Sequence, residues 1–522
     1  MEFELPAMRH DEKVSLQLRA LFDANGYRLY RMGSFEEYDL YMQNKPFLTG
    51  EDIISFTGAD GRLLALKPDV TLSIVKNTPS GETRKLYYNE HVFRRSRQSG
   101  EYREIRQMGL EFIGADGLSD EAEVLWMAVQ ALAATGTAVL DLSHMDFVEA
   151  VMALFPDEQM RDEARAALRS KSPHAMAEVA RQAGLTGPLA QNLTELTSLS
   201  GPFEEALPEA YRFSQNISGA HEALDDLAAL YSKLDITSLP VTVRLDMSIL
   251  NDADYYNGIT FRGYVNGVPE PVLSGGKYDN LLHRFGKKQG AVGFALYLDA
   301  VGRLQEADEN GAADDKNWLN VALPKGRLGT KVYKLFQKVG LSNTDIDPES
   351  RKLVLEDAGS RVRYFLVKPS DVDTYVEHGA ADIGVVGKDV LLENGSDVLE
   401  LLDLGFGKCR LAVAGFPGYR EELAKPLRVA TKYVSVARRY FAGKSRSVEI
   451  INLHGSIELA PLTGLSDVIV DIVETGSTLK ENNLEVLEEI APSSARLVAN
   501  KTAWRFKGNR IRDLAGKLGE LL

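Results

Sequence analysis

Among 522 residues there is one cysteine, Cys409. That excludes an internal disulfide framework and fits a reducing compartment. Cys409 enters an apolar, strand-like run in GFGKCRLAVAG, where a buried structural thiol is expected rather than a nucleophile. Long apolar runs are also missing. The longest, VLWMAVQALAATGTAVL, is broken by Gln, Thr and Gly, so no membrane span is expected. MEFELPAMRHDEK lacks the basic and apolar pattern of a signal peptide, and a cytoplasmic protein is the expectation. Positive charge is in deficit: 60 Lys and Arg against 75 Asp and Glu give a formal charge of −15. Phosphate-backbone binding needs clustered cations, so no nucleic-acid partner is expected, while a locally basic site for a small anion stays open.

What is present is ordinary globular composition, 44% hydrophobic and 26% charged, over a length suggesting roughly three or four domains at ~150 residues each. One linker stands out. LQEADENGAADDKNW, residues 304–318, is acidic, rich in Ala and Gly, and without apolar periodicity. The expected division is therefore 1–306, a linker over 307–316, and 317–522. In the first part, DEKVSLQLRALFDANGY predicts a helix with Val14, Leu18, Leu21 and Phe22 on one face. Strand-like runs follow (DIISFTG, KLYYNEHVFRR, EIRQMGLEFIG). A helical stretch spans about 119–235, and strands return with VTVRLDMSIL and GITFRGYV. This predicts an α+β antiparallel sheet with a helical insertion. In the second part LNVALP, FLVKP, DIGVVG, RLAVAGF, LRVATK, VEIINL and VIVDIV alternate with helical segments. That predicts an α/β architecture of mostly parallel sheets in two small lobes.

The densest chemistry lies in VIVDIVETGSTL, residues 468–479. VIVDIV reads as a buried strand and LKENNLEVLEEIA as a helix carrying Leu479, Leu484 and Leu487. Thr475, Gly476, Ser477 and Thr478 then fall at a strand-to-helix turn, where outward N–H groups and the helix dipole favour an anion. The loop lacks the Lys and spacing of a nucleoside-triphosphate loop. Two acids, Asp471 and Glu474, precede it instead. A carboxylate beside a phosphate is repulsive unless it grips something neutral, and sugar hydroxyls meet that need. The constellation suits a ribose 5-phosphate.

DIVETGSTLKENNLEV resembles the 5-phosphoribosyl-pyrophosphate loop of the ATP phosphoribosyltransferase family, the first enzyme of histidine biosynthesis. ALPKGRL, DPESRKL, DVDTYVEHGAADIGVVGKDVLLE and LRVATKYVSVARRYF match it in order, over about 317–522, as the short form without a C-terminal regulatory domain. The resemblance implies a two-lobed fold of periplasmic-binding-protein type. It implies attack by N1 of ATP on C1 of 5-phosphoribosyl pyrophosphate, with Mg²⁺ carried on the substrate. It implies Arg327 and Arg351, with Lys325, as catalytic cations. Gly326, Lys368, Lys432 and Tyr433 are implied at ATP or pyrophosphate. Glu458, Asp471, Glu474, Thr475, Gly476, Ser477 and Thr478 are implied at the phosphoribosyl group. No metal-ligand set is expected in the protein.

KLYYNEHVFRRSRQSGEYREIRQMGLEFIGAD resembles motif 2 of the class II histidyl-tRNA synthetase family, with Arg94 in the place of its phosphate-gripping Arg. DADYYNGITF, LSGGKYDNLLHRFG and GAVGFALYLDAVGRL resemble its histidine-recognition segments and motif 3. Two cations of the active synthetases are replaced: Asn251 stands before DADYY, and Ala300 follows Asp299. The resemblance is therefore to the regulatory subunit that pairs with short-form ATP phosphoribosyltransferase, here joined to its partner. It implies activation of the second half, feedback inhibition by histidine, and a homo-oligomer, a tetramer of fused chains. Asp69, Thr71, Gln107, Glu111, Tyr255 and Tyr256 would hold the amino group and imidazole of histidine. Residual synthetase activity and a non-catalytic ligand-binding module are the competing readings.

Overall fold

The computed structural model describes residues 8–48, 53–95, 100–250, 255–309, 318–341, 352–420 and 424–522. The chain forms two compact units, Met1–Lys316 and Asn317–Leu522. Most of the expected linker, residues 310–316, lies outside the described residues, as do Asn251 and Arg351. Among the described residues no helix is long and apolar enough to cross a membrane.

A nine-stranded sheet organises the first unit. Its longest ladder is the antiparallel pair Arg84–Arg95 and Tyr102–Ala115. Gly290–Tyr297, Leu273–Lys277, Ile259–Val265 and Ala138–His144 follow in antiparallel order, and the last of these runs parallel to Val241–Asp246. The strand Ala138–His144 falls inside the stretch expected to be helical. Gly136 ends the preceding helix, Leu118–Thr135, and the strand is buried at every position, so no alternation marks it. Elsewhere the period-2 rule holds. On Tyr102–Ala115, Met108, Leu110 and Phe112 join the core beneath His10–Ala24 and Leu118–Thr135. Gln107, Gly109, Glu111 and Ile113 face the opposite side. Five helices from Glu158 to Tyr231 form the insertion.

The second unit has two lobes, built on a six-stranded and a five-stranded sheet. The expectation of mostly parallel sheets is corrected. Parallel pairing is confined to the strands flanking Leu319–Pro324 in the first lobe and Leu427–Thr431 in the second. Antiparallel strands carry the chain between lobes, from Leu399–Asp403 to Cys409–Gly415 and back from Glu485–Ser493 to Ala495–Ala499. The two crossings are bonded side by side: Leu404 N–H donates to the Ala495 carbonyl at 2.9 Å, and Ala495 N–H to that of Phe406 at 3.0 Å. Cys409 is half-buried at the start of its strand.

The helix expected after the glycine loop is also corrected. It runs only from Ser477 to Glu481, ends at Asn483 in the left-handed region (φ 55°), and gives way to the strand Glu485–Ser493. That strand has two irregularities opposite Leu411/Ala412 and Val413/Ala414. Each bulge resets the alternation, so its apolar residues fall in pairs and imitate a helical period.

Candidate functional site

In open α/β sheets ligands gather at the carboxyl ends of strands where the strand order reverses. Each lobe of the second unit has such a point. In the first lobe it is Leu319–Pro324, flanked by Val362–Val367 and Ile383–Gly387. Lys325, Gly326 and Arg327 occupy the turn beyond this strand, with both cationic residues exposed. Gly326 has φ 87° and ψ −160°, a conformation essentially restricted to glycine. Gly329 is needed for a different reason. A Cβ there would lie 1.7 Å from the Pro324 carbonyl oxygen, so the helix Arg327–Lys338 can start against the strand end only with glycine. Lys325 N–H donates to the Val367 carbonyl at 2.8 Å, which brings the adjoining turn and exposed Lys368 to the same sheet edge. The structure thus gathers Lys325, Arg327 and Lys368, a cationic rim suited to a polyanion.

In the second lobe the reversal lies at Leu427–Thr431, flanked by Val448–Asn452 and Val468–Val473. Lys432 and Tyr433 follow the first of these strands. Glu474, Thr475, Gly476, Ser477 and Thr478 follow the last. Gly476 is left-handed (φ 77°), and a Cβ there would stand in ordinary contact with Val473 Cγ1 at 3.7 Å, so the backbone conformation rather than space favours glycine. The Thr475 and Ser477 hydroxyls lie 3.0 Å apart and are exposed. The helix beyond is five residues long, so its dipole is small, and the donors of the cradle are chiefly the hydroxyls and loop N–H groups. Asp471 points to the same edge. Its carboxylate accepts the Ile472 N–H at 2.8 Å and lies 3.9 Å from Lys432 Nζ. Burial holds its carboxyl above the usual carboxylate range, with Glu458 and Asp389 pushing the same way and the Ile472 N–H and Lys432 opposing. Glu458 precedes the short helix Leu459–Leu462, two residues after Ser456, which is itself left-handed (φ 49°). A non-glycine residue held there signals a loop whose shape is set by its surroundings.

Tyr433 is 4% exposed, and its hydroxyl donates to Asp389 Oδ2 at 2.6 Å. Its ring carries Lys432, whose Nζ is 4.8 Å from the ring centroid. Burial, and then Asp389, push the phenol well above its ordinary range, so it stays neutral. The sequence reading missed Asp389, Ser493 and Thr431, which hold this corner together. Only contacts over 39 to 104 residues of chain reveal them.

The first unit carries a partly open pocket with a mixed polar and apolar lining. Asp69, Thr71, Gln107, Glu111, Tyr255 and Tyr256 all line it, together with Tyr88, Arg94, Tyr278 and Tyr297. The structure brings together all six residues expected to hold an amino acid. Glu111 is buried and accepts the Thr71 hydroxyl at 2.7 Å and the Tyr278 hydroxyl at 2.5 Å. Burial pushes its carboxyl up to about 8; the two hydroxyls oppose this and Asp69 adds to it. Asp69 is raised too, by burial, against the Leu72 N–H and Arg94. Leu72 N–H donates to Asp69 Oδ1 at 2.8 Å, and Arg94 Nε donates to the Pro68 carbonyl at 2.9 Å. Glycines make the room. A Cβ at Gly293 would lie 1.9 Å from Glu111 Oε2, and one at Gly109 would meet the Tyr88 ring at 2.2 Å. Two crowded acids thus lie among the phenols of this pocket.

The ATP phosphoribosyltransferase of Brachyspira hyodysenteriae is 58% identical over 205 residues, which span 39% of this chain and 100% of that relative. The chain belongs to the ATP phosphoribosyltransferase family. The family model of that name matches residues 368–520. The ATP phosphoribosyltransferase of Caldanaerobacter subterraneus subsp. tengcongensis is 54% identical over 204 residues, 97% of its length. The first unit has its own ancestry: the histidyl-tRNA synthetase family model matches residues 1–301. A crystal structure of an ATP phosphoribosyltransferase regulatory subunit/histidyl-tRNA synthetase from Bacillus halodurans is similar at 25% identity and a TM-score of 0.51, covering 63% of this chain and 85% of that one. The chain thus joins a synthetase-like unit to a phosphoribosyltransferase unit.

Proposed function

We propose that residues 317–522 transfer the 5-phosphoribosyl group of 5-phosphoribosyl pyrophosphate to N1 of ATP, releasing pyrophosphate. We further propose that residues 1–306 activate this reaction and inhibit it when histidine fills their pocket. The N1 lone pair forms the new bond to C1 as the bond from C1 to the pyrophosphate oxygen breaks, and the electron pair leaves with pyrophosphate. The nucleophile needs no deprotonation, so the site needs no general base. Its work is placement and charge. Asp471 and Glu474 would accept the ribose hydroxyls, with Glu458 beside them. Thr475, Gly476, Ser477 and Thr478 would cradle the 5-phosphate. Lys325, Arg327, Arg351 and Lys368 would face the pyrophosphate and the ATP phosphates. Mg²⁺ enters with the pyrophosphate as part of the substrate and neutralises charge as it departs.

The single observation that supports this reading best is the pairing of Asp471 with an exposed hydroxyl loop at a strand-order reversal. For the first unit it is the pocket, where Asp69 and Glu111 offer carboxylates to a cationic ligand. A tetramer of fused chains would complete the assembly. The test is turnover of ATP and 5-phosphoribosyl pyrophosphate with Mg²⁺, read by product absorbance, with and without histidine. Turnover suppressed by histidine is the expected result, and absence of turnover overturns the reading. Tyr256→Ala is expected to keep turnover and weaken the histidine response; unchanged inhibition would move the effector elsewhere.

A further inference from the structure

The helix Lys388–Asn394 belongs to the first lobe, yet two of its side chains reach into the second. Asp389 and Glu393 are four residues apart and so share a face of the helix. The Glu393 carboxylate accepts Ser435 N–H at 2.9 Å and Val436 N–H at 3.0 Å. These are orphan donors in the first turn of the helix Val434–Gly443, which has no side-chain cap of its own. A residue of one lobe therefore caps a helix of the other. Asp389 makes the second link. Its Oδ2 accepts the Tyr433 hydroxyl at 2.6 Å, and its Oδ1 accepts the Ser493 hydroxyl at 2.9 Å, at the last residue before the chain crosses back between lobes. Ser493 Oγ in turn accepts the Asp389 N–H at 3.0 Å. A side chain on Gly387 would meet Asp389 Oδ1 at 2.3 Å, so glycine is needed there for the acid to lie in this place.

From Tyr433 the chain of contacts leads to the substrate edge. Thr431 Oγ1 accepts the Tyr433 N–H at 2.8 Å and donates to the Val470 carbonyl at 2.6 Å, tying this corner to the strand that bears Asp471. The Tyr433 ring seats Lys432, and Lys432 faces Asp471. We propose that Asp389 and Glu393 form a clasp between the lobes, setting the closed geometry in which the cationic rim of the first lobe meets a sugar phosphate held on the second. They are positioning residues: neither is placed against substrate, and the reaction has no proton for them to move. The proposal rests on the phosphoribosyl reading of the loop at 475–478.

A ligand that fills only the second lobe separates the clasp from that reading. Ribose 5-phosphate carries the sugar and 5-phosphate but no pyrophosphate, so it needs the loop and not the closed pair of lobes. In the full chain, Glu393→Ala should raise KM for 5-phosphoribosyl pyrophosphate and lower kcat/KM by on the order of tenfold, the scale of one lost helix cap. The Kd of ribose 5-phosphate should stay within about twofold of that of the unaltered chain, because binding confined to the loop bypasses the clasp. Glu393→Gln keeps one acceptor and should recover part of the loss. Asp389→Asn, which preserves shape if Asp389→Ala does not fold, should repeat the split in milder form. Equal losses for ribose 5-phosphate and 5-phosphoribosyl pyrophosphate would mean a merely structural role and overturn the clasp. So would an unmoved KM in a chain that binds ribose 5-phosphate. Failure of the unaltered chain to bind ribose 5-phosphate would overturn the loop assignment instead, and the clasp with it.

Discussion

Replacing Asp471 should separate activity from stability. Among the described residues the carboxylate accepts one hydrogen bond, from the Ile472 N–H, and has a distant ion pair with Lys432 at 3.9 Å. Most of its acceptor capacity is therefore free for a ligand. One ribose hydroxyl donating to it, with the other on Glu474, would make a charge-assisted bond worth ~1.5–3 kcal/mol. Taking the upper figure, Asp471→Ala should lose ~3 kcal/mol of transition-state binding, or about a hundredfold in kcat/KM. Asp471→Asn keeps one acceptor oxygen and should lose about tenfold. The stability effect has the opposite sign. Burial raises this carboxyl above its unfolded value, so its contribution favours folding at low pH and is lost as pH climbs through the folded-state value. Above that value the buried charge is a burden on the fold, and either variant should melt at the same temperature as the unaltered chain or slightly higher. Initial rates against 5-phosphoribosyl pyrophosphate, with a melting curve on the same samples, check both halves. A kcat/KM within about threefold for Asp471→Ala would refute the ribose assignment. A loss of activity matched by a fall in Tm would show that Asp471 is structural.

Two further outcomes follow from the same physics. Glu111, pushed up to about 8, is largely protonated in the empty pocket at pH 7 and should ionise when the already charged ammonium of histidine enters beside it, the imidazole staying neutral. Histidine binding should then release close to one proton and tighten between pH 6.5 and 8 by up to ~10-fold per unit. Calorimetry in two buffers of different ionisation enthalpy measures this. Proton release that persists in Glu111→Gln would refute the assignment. Gly329→Ala forces a Cβ toward the Pro324 carbonyl oxygen, nominally at 1.7 Å, so the helix Arg327–Lys338 must shift. The cost should be ~2–3 kcal/mol of stability. Turnover should fall with it, because Lys325 and Arg327 sit on that junction; an unchanged Tm would contradict the close approach.

What could be read from the sequence depended on how local each signal was. The loop at 475–478 announced itself because strand, acid, glycine and hydroxyls are consecutive. The helix His10–Ala24 did so because Val14, Leu18 and Phe22 repeat at helical spacing. The strand Glu485–Ser493 was hidden by bulges that broke its alternation, and Ala138–His144 by complete burial. The pocket was legible only through family resemblance. Nothing in LSGGKYD or GAVGFALY shows that a glycine is spared so that Glu111 can stand on the neighbouring strand. Asp389 and Glu393 were beyond reach altogether. In the sequence GKDVLLE reads as a helix start with ordinary acids, and their partners lie 42 to 104 residues away.

We propose that the first unit keeps the means to recognise an amino acid and has lost part of the means to activate one, two tasks with different physical requirements. Recognition needs acceptors for a cation, which Asp69, Glu111 and the surrounding phenols supply. Forming an aminoacyl-adenylate needs positive charge where pyrophosphate departs. Arg94 remains in the pocket, its Nε held by the Pro68 carbonyl. Ala300, in the position where motif 3 of the synthetases carries an Arg, is buried and apolar. Asn251 replaces a second cation. One such charged contact is worth ~2–4 kcal/mol in the transition state, so losing two should slow activation by about 10³- to 10⁶-fold. The chain should therefore bind histidine yet show no histidine-dependent exchange of labelled pyrophosphate into ATP above background. Exchange at a rate typical of a synthetase would refute the division of labour. Exchange restored by Ala300→Arg together with Asn251→Arg would support it, because only the missing charge would have been returned.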